Sequence, residues 1–380
     1  MTKKVRYIKE SILEDLKKRM VFIGGPRQVG KTTLALSFLK NSSPKNLAYL
    51  SWDSIPSRSK ILKGEIPSNQ KIIIFDEIHK YSKWRSLIKG LYDIHHEEVK
   101  FMVTGSARLD HFKKGGDSLF GRYRYYRQHP FSLMELSNHP TKNDFDQLFT
   151  LSGFPEPFFS GKLSDYKRWH LERIDRVVYT DINDLENLKD IASMQVLIEA
   201  LDSRVGSPIS VENLRQDLGS SHPAVMRWLE ILDAVYMTYR ISPFGVPKIR
   251  AVKKERKLYF WDWAQVSDKG ARFENFVASH LLKYCHFIED TKGEKMELRF
   301  LRDRDGREVD FVVMKNAKPL FAVECKSGER QLSKHIAYFK DRTPIPEFFQ
   351  VHQGSADFGN EKTTGRCLPF WTFCKEKSLV

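Results

Sequence analysis

Ile23-Gly24-Gly25-Pro26-Arg27-Gln28-Val29-Gly30-Lys31-Thr32-Thr33 follows the apolar run Met20-Val21-Phe22-Ile23 and precedes Leu34-Ala35-Leu36-Ser37-Phe38-Leu39. The first run reads as a strand and the second as a helix. Gly25 to Thr32 fit G-x-x-x-x-G-K-T, the pattern of a phosphate-binding loop. Its glycines let backbone N–H groups turn inward around phosphate oxygens. Lys31 supplies a point charge for β- and γ-phosphates, and the helix that starts there aims its positive end at the anion. The Thr32 hydroxyl suits Mg²⁺. Gly25, Pro26, Arg27, Gln28, Val29, Gly30, Lys31, Thr32 and Thr33 are therefore the expected ATP-binding residues.

Downstream, Asn46–Leu50 reads as a second strand. Lys71-Ile72-Ile73-Ile74-Phe75-Asp76-Glu77 reads as a buried parallel strand ending in two carboxylates. Asp76 can hold Mg²⁺ through water, and Glu77 can act as general base on the attacking water. Lys100–Ser106 is a further strand. A polar residue closing it would sit between the two motifs and sense the γ-phosphate; Thr104 and Ser106 are both candidates. Residues 1–19 read as one amphipathic helix.

The chain has 380 residues and a formal net charge of +15. That length fits two to four domains. The basic balance favours a polyanionic partner, nucleic acid or membrane surface. Cys285, Cys325, Cys367 and Cys374 follow neither a zinc nor a disulfide spacing, which fits a reducing cytoplasm. No apolar run approaches the ~20 residues that span a bilayer, so no membrane span is expected.

Leu119-Phe120-Gly121-Arg122 follows the strand Lys100–Ser106. The phosphate loop, the Asp-Glu strand, the Thr-Gly-Ser strand and this Leu-x-Gly-Arg segment resemble the AAA+ ATPases. They resemble in particular a bacterial and archaeal branch with an uncharacterised C-terminal region. The resemblance implies that Arg122 acts as a finger on the ATP of a neighbouring subunit, and hence a homo-oligomer such as a ring. A guanidinium there can neutralise charge on the transferring phosphoryl group. The competing reading of Arg122, with Arg124, Arg127, Tyr123, Tyr125 and Tyr126, is a basic-aromatic patch that contacts nucleic acid or merely packs.

In the resembled family Pro130–Leu136 closes the core and a small helical lid follows. Residues 145–200 read as helical, interrupted at Gly153–Pro157. Arg173 and Arg176 are only candidates for a lid contact with ATP. Glu212–Leu218, a turn at Gly219 and a helix from His222 to Leu232, capped by Ser220 or Ser221, outline a helix-turn-helix. Two strand-like runs follow, Tyr236–Ile241 and Lys257–Phe260. Lys248, Arg250, Lys253, Lys254, Arg256 and Lys257 lie between or at them, giving a winged helix with a basic wing suited to phosphates.

In the last third a helix begins near Ala271, and Glu297–Leu301, Arg307–Val313 and Leu320–Lys326 are strand-like. Alternation puts Glu324 and Lys326 on one face. Asp310 on a neighbouring strand could then share a metal with Glu324. Lys326 could orient a water, and Glu274 could complete the shell. This D…E-x-K pattern resembles the PD-(D/E)xK nuclease fold over roughly residues 265–345. Gln331 is a weaker candidate for a helix that approaches DNA.

The expectation is an α/β chain: an AAA+ core with parallel sheet at 1–135, a helical lid at 136–200, a winged helix at 201–262 and a nuclease-like α/β domain at 263–380. The expected function is Mg²⁺-dependent ATP hydrolysis coupled to binding and remodelling of DNA, branched DNA included. Its expected catalytic residues are Lys31, Glu77 and Arg122, with Asp310, Glu324 and Lys326 forming a candidate nuclease site. The alternative is an ATP-binding regulatory switch that uses its C-terminal domains for protein contacts.

Overall fold

The computed structural model describes residues 4–105, 119, 121–182, 191–245, 256–329 and 331–380. Ser106, Asp117, Ser118, Phe120, Lys248, Arg250, Lys253 and Lys254 lie outside the described residues. The chain divides into two compact units. The first comprises residues 1–129, 180–187 and 234–236, and the second comprises 130–179, 188–233 and 237–380.

The first unit is built on a five-stranded parallel sheet. Its strands are β1 (Met20–Gly24), β2 (Tyr49–Ser51), β3 (Ile72–Asp76), β4 (Lys100–Gly105) and β5 (Tyr123–Arg127). Their order is β2-β3-β4-β1-β5, so β4 separates the phosphate-loop strand from the Asp-Glu strand. Every residue of β1 is buried, which explains its unbroken apolar run. Phe22 stacks on Tyr123 at 4.3 Å between ring centroids and meets Trp84 at 5.7 Å. Fully burying a side chain such as Phe22 contributes about 1.5–3 kcal/mol relative to leaving it exposed. Around them Ile73, Phe75, Phe101 and Val103 complete one core face.

Arg122 precedes β5, and Tyr123–Arg127, the basic-aromatic patch of the competing reading, form this edge strand. Tyr123 and Tyr125 face the core while Arg124 is exposed. The period of two was present in Tyr-Arg-Tyr but was hidden by its polar composition.

The second unit opens with the helices Lys142–Leu151, Pro155–Ser160 and Leu163–Arg176. Pro130 and Ser132 are held by Lys283, whose Nζ donates to Pro130 O at 3.1 Å and Ser132 Oγ at 2.8 Å and pairs with Glu135. The segment from Pro130 to Leu136 thus packs with the helix Lys269–Lys292. That helix starts at Asp268, whose side chain accepts from Ala271 N, and ends at Gly293 with φ 69°.

Helix Val211–Asp217, a turn at Gly219 and helix His222–Ala234 follow in the expected order. Ser221 caps the second helix, accepting from Ala224 N at 3.3 Å. The hairpin β6 (Thr238–Pro243) and β7 (Lys257–Phe260) comes next, then β8 (Met296–Arg302), β9 (Glu308–Lys315), β10 (Lys318–Cys325), β11 (Phe348–His352), β12 (Phe358–Asn360) and β13 (Gly365–Pro369).

These eight strands form one mixed sheet in the order β12-β13-β11-β10-β9-β8-β6-β7. β6 joins it by pairing with β8 at Ser242 and Pro243. The hairpin therefore belongs to the sheet that carries Asp310 and Glu324. Gln331 precedes the helix Lys334–Lys340 rather than lying in it; its carbonyl accepts from Gln350 Nε2 at 3.3 Å.

Candidate functional site

The loop after β1 needs its glycines for space as well as conformation. Gly25 has φ 150°, and a Cβ there would lie 2.3 Å from the Gln128 carbonyl oxygen. Gly30, with φ 92°, turns the chain into the helix Lys31–Leu36. Two side chains that the sequence did not single out brace the loop. Gln128 Nε2 and Arg6 Nη1 each donate to Val29 O at 2.9 Å, and Arg6 also bonds His129 O. Gln128 N donates to Gly24 O at 2.8 Å, extending the β1–β5 ladder to the loop's edge.

Lys31 is buried, and its ammonium donates to Gly25 O at 2.9 Å and Pro26 O at 2.7 Å. Burial pulls its pKa below the ordinary lysine value, while Glu77, Asp76 and Asp181 act in the opposite direction. Arg27 Nη1 pairs with Asp181 Oδ1 at 2.5 Å, in the π-helical segment Val177–Ile182.

Asp76 closes β3 and is 4% exposed. It gathers three hydroxyls: Thr32 Oγ1 donates to Oδ2 at 3.0 Å, Tyr49 OH donates to Oδ2 at 2.6 Å, and Thr104 Oγ1 donates to Oδ1. Burial, and then Glu77, raise the Asp76 pKa; bonds from Thr104, Tyr49 and Thr32 pull it back. Thr32 and Asp76 present hard oxygens within one hydrogen bond of each other, the donor set that Mg²⁺ takes. These residues fit the ion.

Glu77 leaves the strand with φ 56°, a left-handed conformation that a non-glycine residue rarely holds. Its N–H donates to Thr104 O at 2.9 Å, which turns the backbone there. Its carboxylate lies 3.7 Å from His79 Nε2.

Arg122 stands elsewhere. It precedes Tyr123, which pairs with Met20 at the start of β1, and its Nε is 3.1 Å from Asp93 Oδ1 on the helix Trp84–His95. Arg173 is not a free lid arginine. It is buried over Phe154 at 4.6 Å and Trp169 at 5.7 Å, with Nη1 3.8 Å from Met237 Sδ. Arg176 pairs with Glu172 at 3.7 Å.

In the second unit, Asp310 and Glu324 lie on adjacent antiparallel strands, one step beyond the registered pair Phe311–Val323. Asp310 Oδ2 accepts from Cys325 N at 2.8 Å, and Lys326 Nζ donates to Glu324 Oε1 at 2.5 Å. Sequence reasoning placed Lys257 on a basic wing, but it is fully buried. Its ammonium bonds Glu274 Oε1 at 3.1 Å, pairs with Glu308, and lies 3.6 Å from Asp310 Oδ1. Burial opposes its charge, yet Glu274, Asp310 and Glu308 together hold its pKa above the ordinary value.

Burial, then Asp310, raise Glu274 to about 8 and Glu324 to about 7. Glu324 Oε2 is buried without a hydrogen-bond partner. Among the described residues no three His, Cys, Asp or Glu side chains are arranged to hold a metal ion. With an ammonium already among the carboxylates, the cluster does not fit a divalent cation.

The comparisons divide the chain more finely than its two compact units. Residues 17–137 match the model of an AAA domain. Residues 142–267 and 269–373 match two separate models, each described as a domain of unknown function. The parallel sheet, the phosphate loop and the Asp-Glu strand make residues 17–137 an AAA-like P-loop ATPase domain.

Over most of its length the chain is also similar to an uncharacterised protein of Methanocaldococcus jannaschii. That protein is 22% identical over 375 residues, 90% of this chain and 82% of that one. An uncharacterised protein of Mycobacterium tuberculosis is 20% identical over 332 residues, 81% and 73% of the two chains. Among solved structures the chain is similar to a signal transduction ATPase with numerous domains, bearing a tetratricopeptide repeat sensor, from Pyrococcus horikoshii. That likeness has 13% identity and a TM-score of 0.26, and covers 76% of this chain and 48% of that one. The chain thus spans about half the length of that protein. No helix among the described residues is long and apolar enough to cross a membrane.

Proposed function

We propose that the protein is a Mg²⁺-dependent ATP hydrolase that works as a homo-oligomer and acts on DNA through its second unit. The single observation that carries the ATPase reading is the Thr32–Asp76–Thr104 hydrogen-bond chain, which joins the phosphate loop to β3 and β4. In this reading the loop from Gly25 to Thr33 cradles the phosphates, and Lys31 neutralises their charge. Thr32 and Asp76 hold Mg²⁺, which supplies charge neutralisation at the phosphates when bound. Glu77 takes the proton of the attacking water. Arg122 completes the site of a neighbouring copy, because β5 carries it to the far end of its own sheet.

The DNA reading rests on the net charge of +15 and on the helix, Gly turn, capped helix and hairpin in succession. In this reading the winged-helix arrangement docks on DNA and the nuclease-like sheet supports it. The test is ATP turnover with single-stranded, duplex, forked and four-way DNA over a range of salt. Stimulation that weakens steeply as salt rises supports phosphate contacts; turnover indifferent to every DNA removes the DNA partner.

The Arg27–Asp181 pair favours a second reading. It ties a phosphate-loop arginine to a segment whose neighbours in sequence on both sides belong to the second unit. An ATP-binding regulatory switch that uses the second unit for protein contacts would use such a link. Turnover that ignores DNA but changes in Asp181→Asn supports that reading.

A further inference from the structure

Glu274 and Asp310, two of the carboxylates that the sequence offers as a metal-dependent nuclease centre, share with Glu308 a cation that the chain itself supplies. We infer that the Lys257 ammonium takes the cation position of this cluster, so that the second unit holds the D…E-x-K arrangement without a divalent metal and does not cut DNA. This goes beyond the ATPase reading and does not depend on it.

The donors are already committed. Glu274 Oε1 accepts from both Lys257 Nζ at 3.1 Å and Tyr259 OH at 2.7 Å. Asp310 places Oδ2 on the Cys325 amide at 2.8 Å and Oδ1 3.6 Å from the ammonium. Glu308 pairs with the same ammonium, and Glu324 Oε1 is taken by Lys326 at 2.5 Å. Glu324 Oε2 is buried without a hydrogen-bond partner. Mg²⁺ takes about six oxygens at about 2.0–2.1 Å, and carboxylates already gathered on a fixed ammonium are a poor site for it. The side of Glu274 towards Gly206 is closed as well, since a Cβ at Gly206 would lie 2.9 Å from the Glu274 carboxylate oxygens.

The position of Lys257 gives the cluster a different task. Lys257 opens β7, the second strand of the hairpin that follows the helix-turn-helix, whereas Asp310 and Glu308 belong to β9 and Glu274 to the helix Lys269–Lys292. β7 and β9 are separated in the sheet by β6 and β8. The ammonium therefore pins the hairpin edge to the centre of the sheet through ionic contacts. A divalent ion could bridge the same carboxylates but would not be carried by β7.

The test is Mn²⁺ binding to the nucleotide-free full chain, read by electron paramagnetic resonance of free Mn²⁺. It compares wild type, Asp310→Asn, Lys257→Gln, and Lys257→Gln combined with Asp310→Asn. Wild type and Asp310→Asn are expected to bind the same amount. Lys257→Gln is expected to bind one more Mn²⁺ per chain, and the added Asp310→Asn is expected to remove it. Loss of one Mn²⁺ per chain in Asp310→Asn relative to wild type would overturn the inference. So would DNA cleavage by wild type, with Mg²⁺ or Mn²⁺, that Asp310→Asn abolishes. A folded Lys257→Gln that gains no ion would also overturn it. If Lys257→Gln does not fold, the wild-type comparison and the cleavage assay decide alone, with Glu324→Gln as a second probe of the same cluster.

Discussion

Thr104 donates its hydroxyl hydrogen to Asp76, so the strand between the two nucleotide motifs is chemically joined to the carboxylate that ends β3. Thr104 is buried, and its backbone carbonyl also receives the N–H of Glu77 at 2.9 Å. One residue thus orients the proposed metal ligand through its side chain and the proposed base through its backbone. Thr104→Val keeps the shape and the carbonyl but removes the hydroxyl. Groups that orient a metal ligand are typically worth about 10–100-fold in metal affinity or activity. ATP turnover should therefore fall by about that factor and require more Mg²⁺ for saturation, with ATP binding retained. A Mg²⁺ titration of turnover checks this; an unchanged midpoint would remove Thr104 from the site.

Glu77 and Lys31 should fail in different ways. Lys31→Ala removes the buried charge of the loop and should abolish nucleotide binding. Glu77→Gln leaves the loop intact and should bind ATP normally while turning it over about 10²–10⁴-fold more slowly, the usual contribution of a general base. Fluorescent-nucleotide binding alongside phosphate release separates the two effects. Normal turnover in Glu77→Gln would assign the base elsewhere.

The acidic cluster predicts a pH dependence of stability. Glu274 and Glu324 have folded-state pKa values of about 8 and about 7, above their ordinary value of 4.5. The native state therefore holds protons that the unfolded chain has released, and stability falls as pH rises through this range. His280, whose pKa burial lowers to about 3, works in the other direction at acid pH. In the unfolded chain it is half protonated at about pH 6.5, so its opposing contribution fades as pH rises past that value. Towards pH 8 the two glutamates therefore dominate, and the melting temperature of the second unit should decline there. In a unit of this size each kcal/mol lost lowers the midpoint by about 2–4 °C. Glu324→Gln should flatten the decline; an equally steep decline in the variant would show that Glu324 does not titrate there.

The legible parts of the protein are those whose chemistry is local. The glycines, Lys31 and Thr32 fall within one loop, and Asp76 and Glu77 end one apolar strand, so order and spacing suffice. The braces of that loop come from afar: Arg6 and Gln128 reach Val29 from opposite ends of the unit's main segment, and no short motif connects them. Tyr49 was read only as part of a strand, and its hydroxyl became informative once β2 lay beside β3. Phe348-Phe349-Gln350-Val351-His352 is wholly buried in β11; its apolar residues carry a strand signal, which Gln350 and His352 interrupt with polar side chains. Lys257 was the hardest case. Within a run of basic residues a lysine reads as solvated, and its burial follows only from Glu274, Glu308 and Asp310 converging on it from other elements.

Arg122 provides the most direct test of the account. Tyr123 pairs with Met20 and Arg127 with Gly24, so Arg122 and the phosphate loop stand at opposite ends of parallel strands. About five residues at about 3.3 Å each separate them, or roughly 17 Å, which is beyond the reach of an arginine. Arg122 can serve catalysis only on another copy of the chain. The measurement is ATP turnover by Arg122→Ala, by Lys31→Ala and by mixtures of the two at fixed total concentration. The account predicts that Arg122→Ala binds ATP without hydrolysing it, that Lys31→Ala does neither, and that mixtures regain activity where an intact loop meets an intact arginine. Normal turnover in Arg122→Ala, or mixtures as inactive as their components, would contradict it.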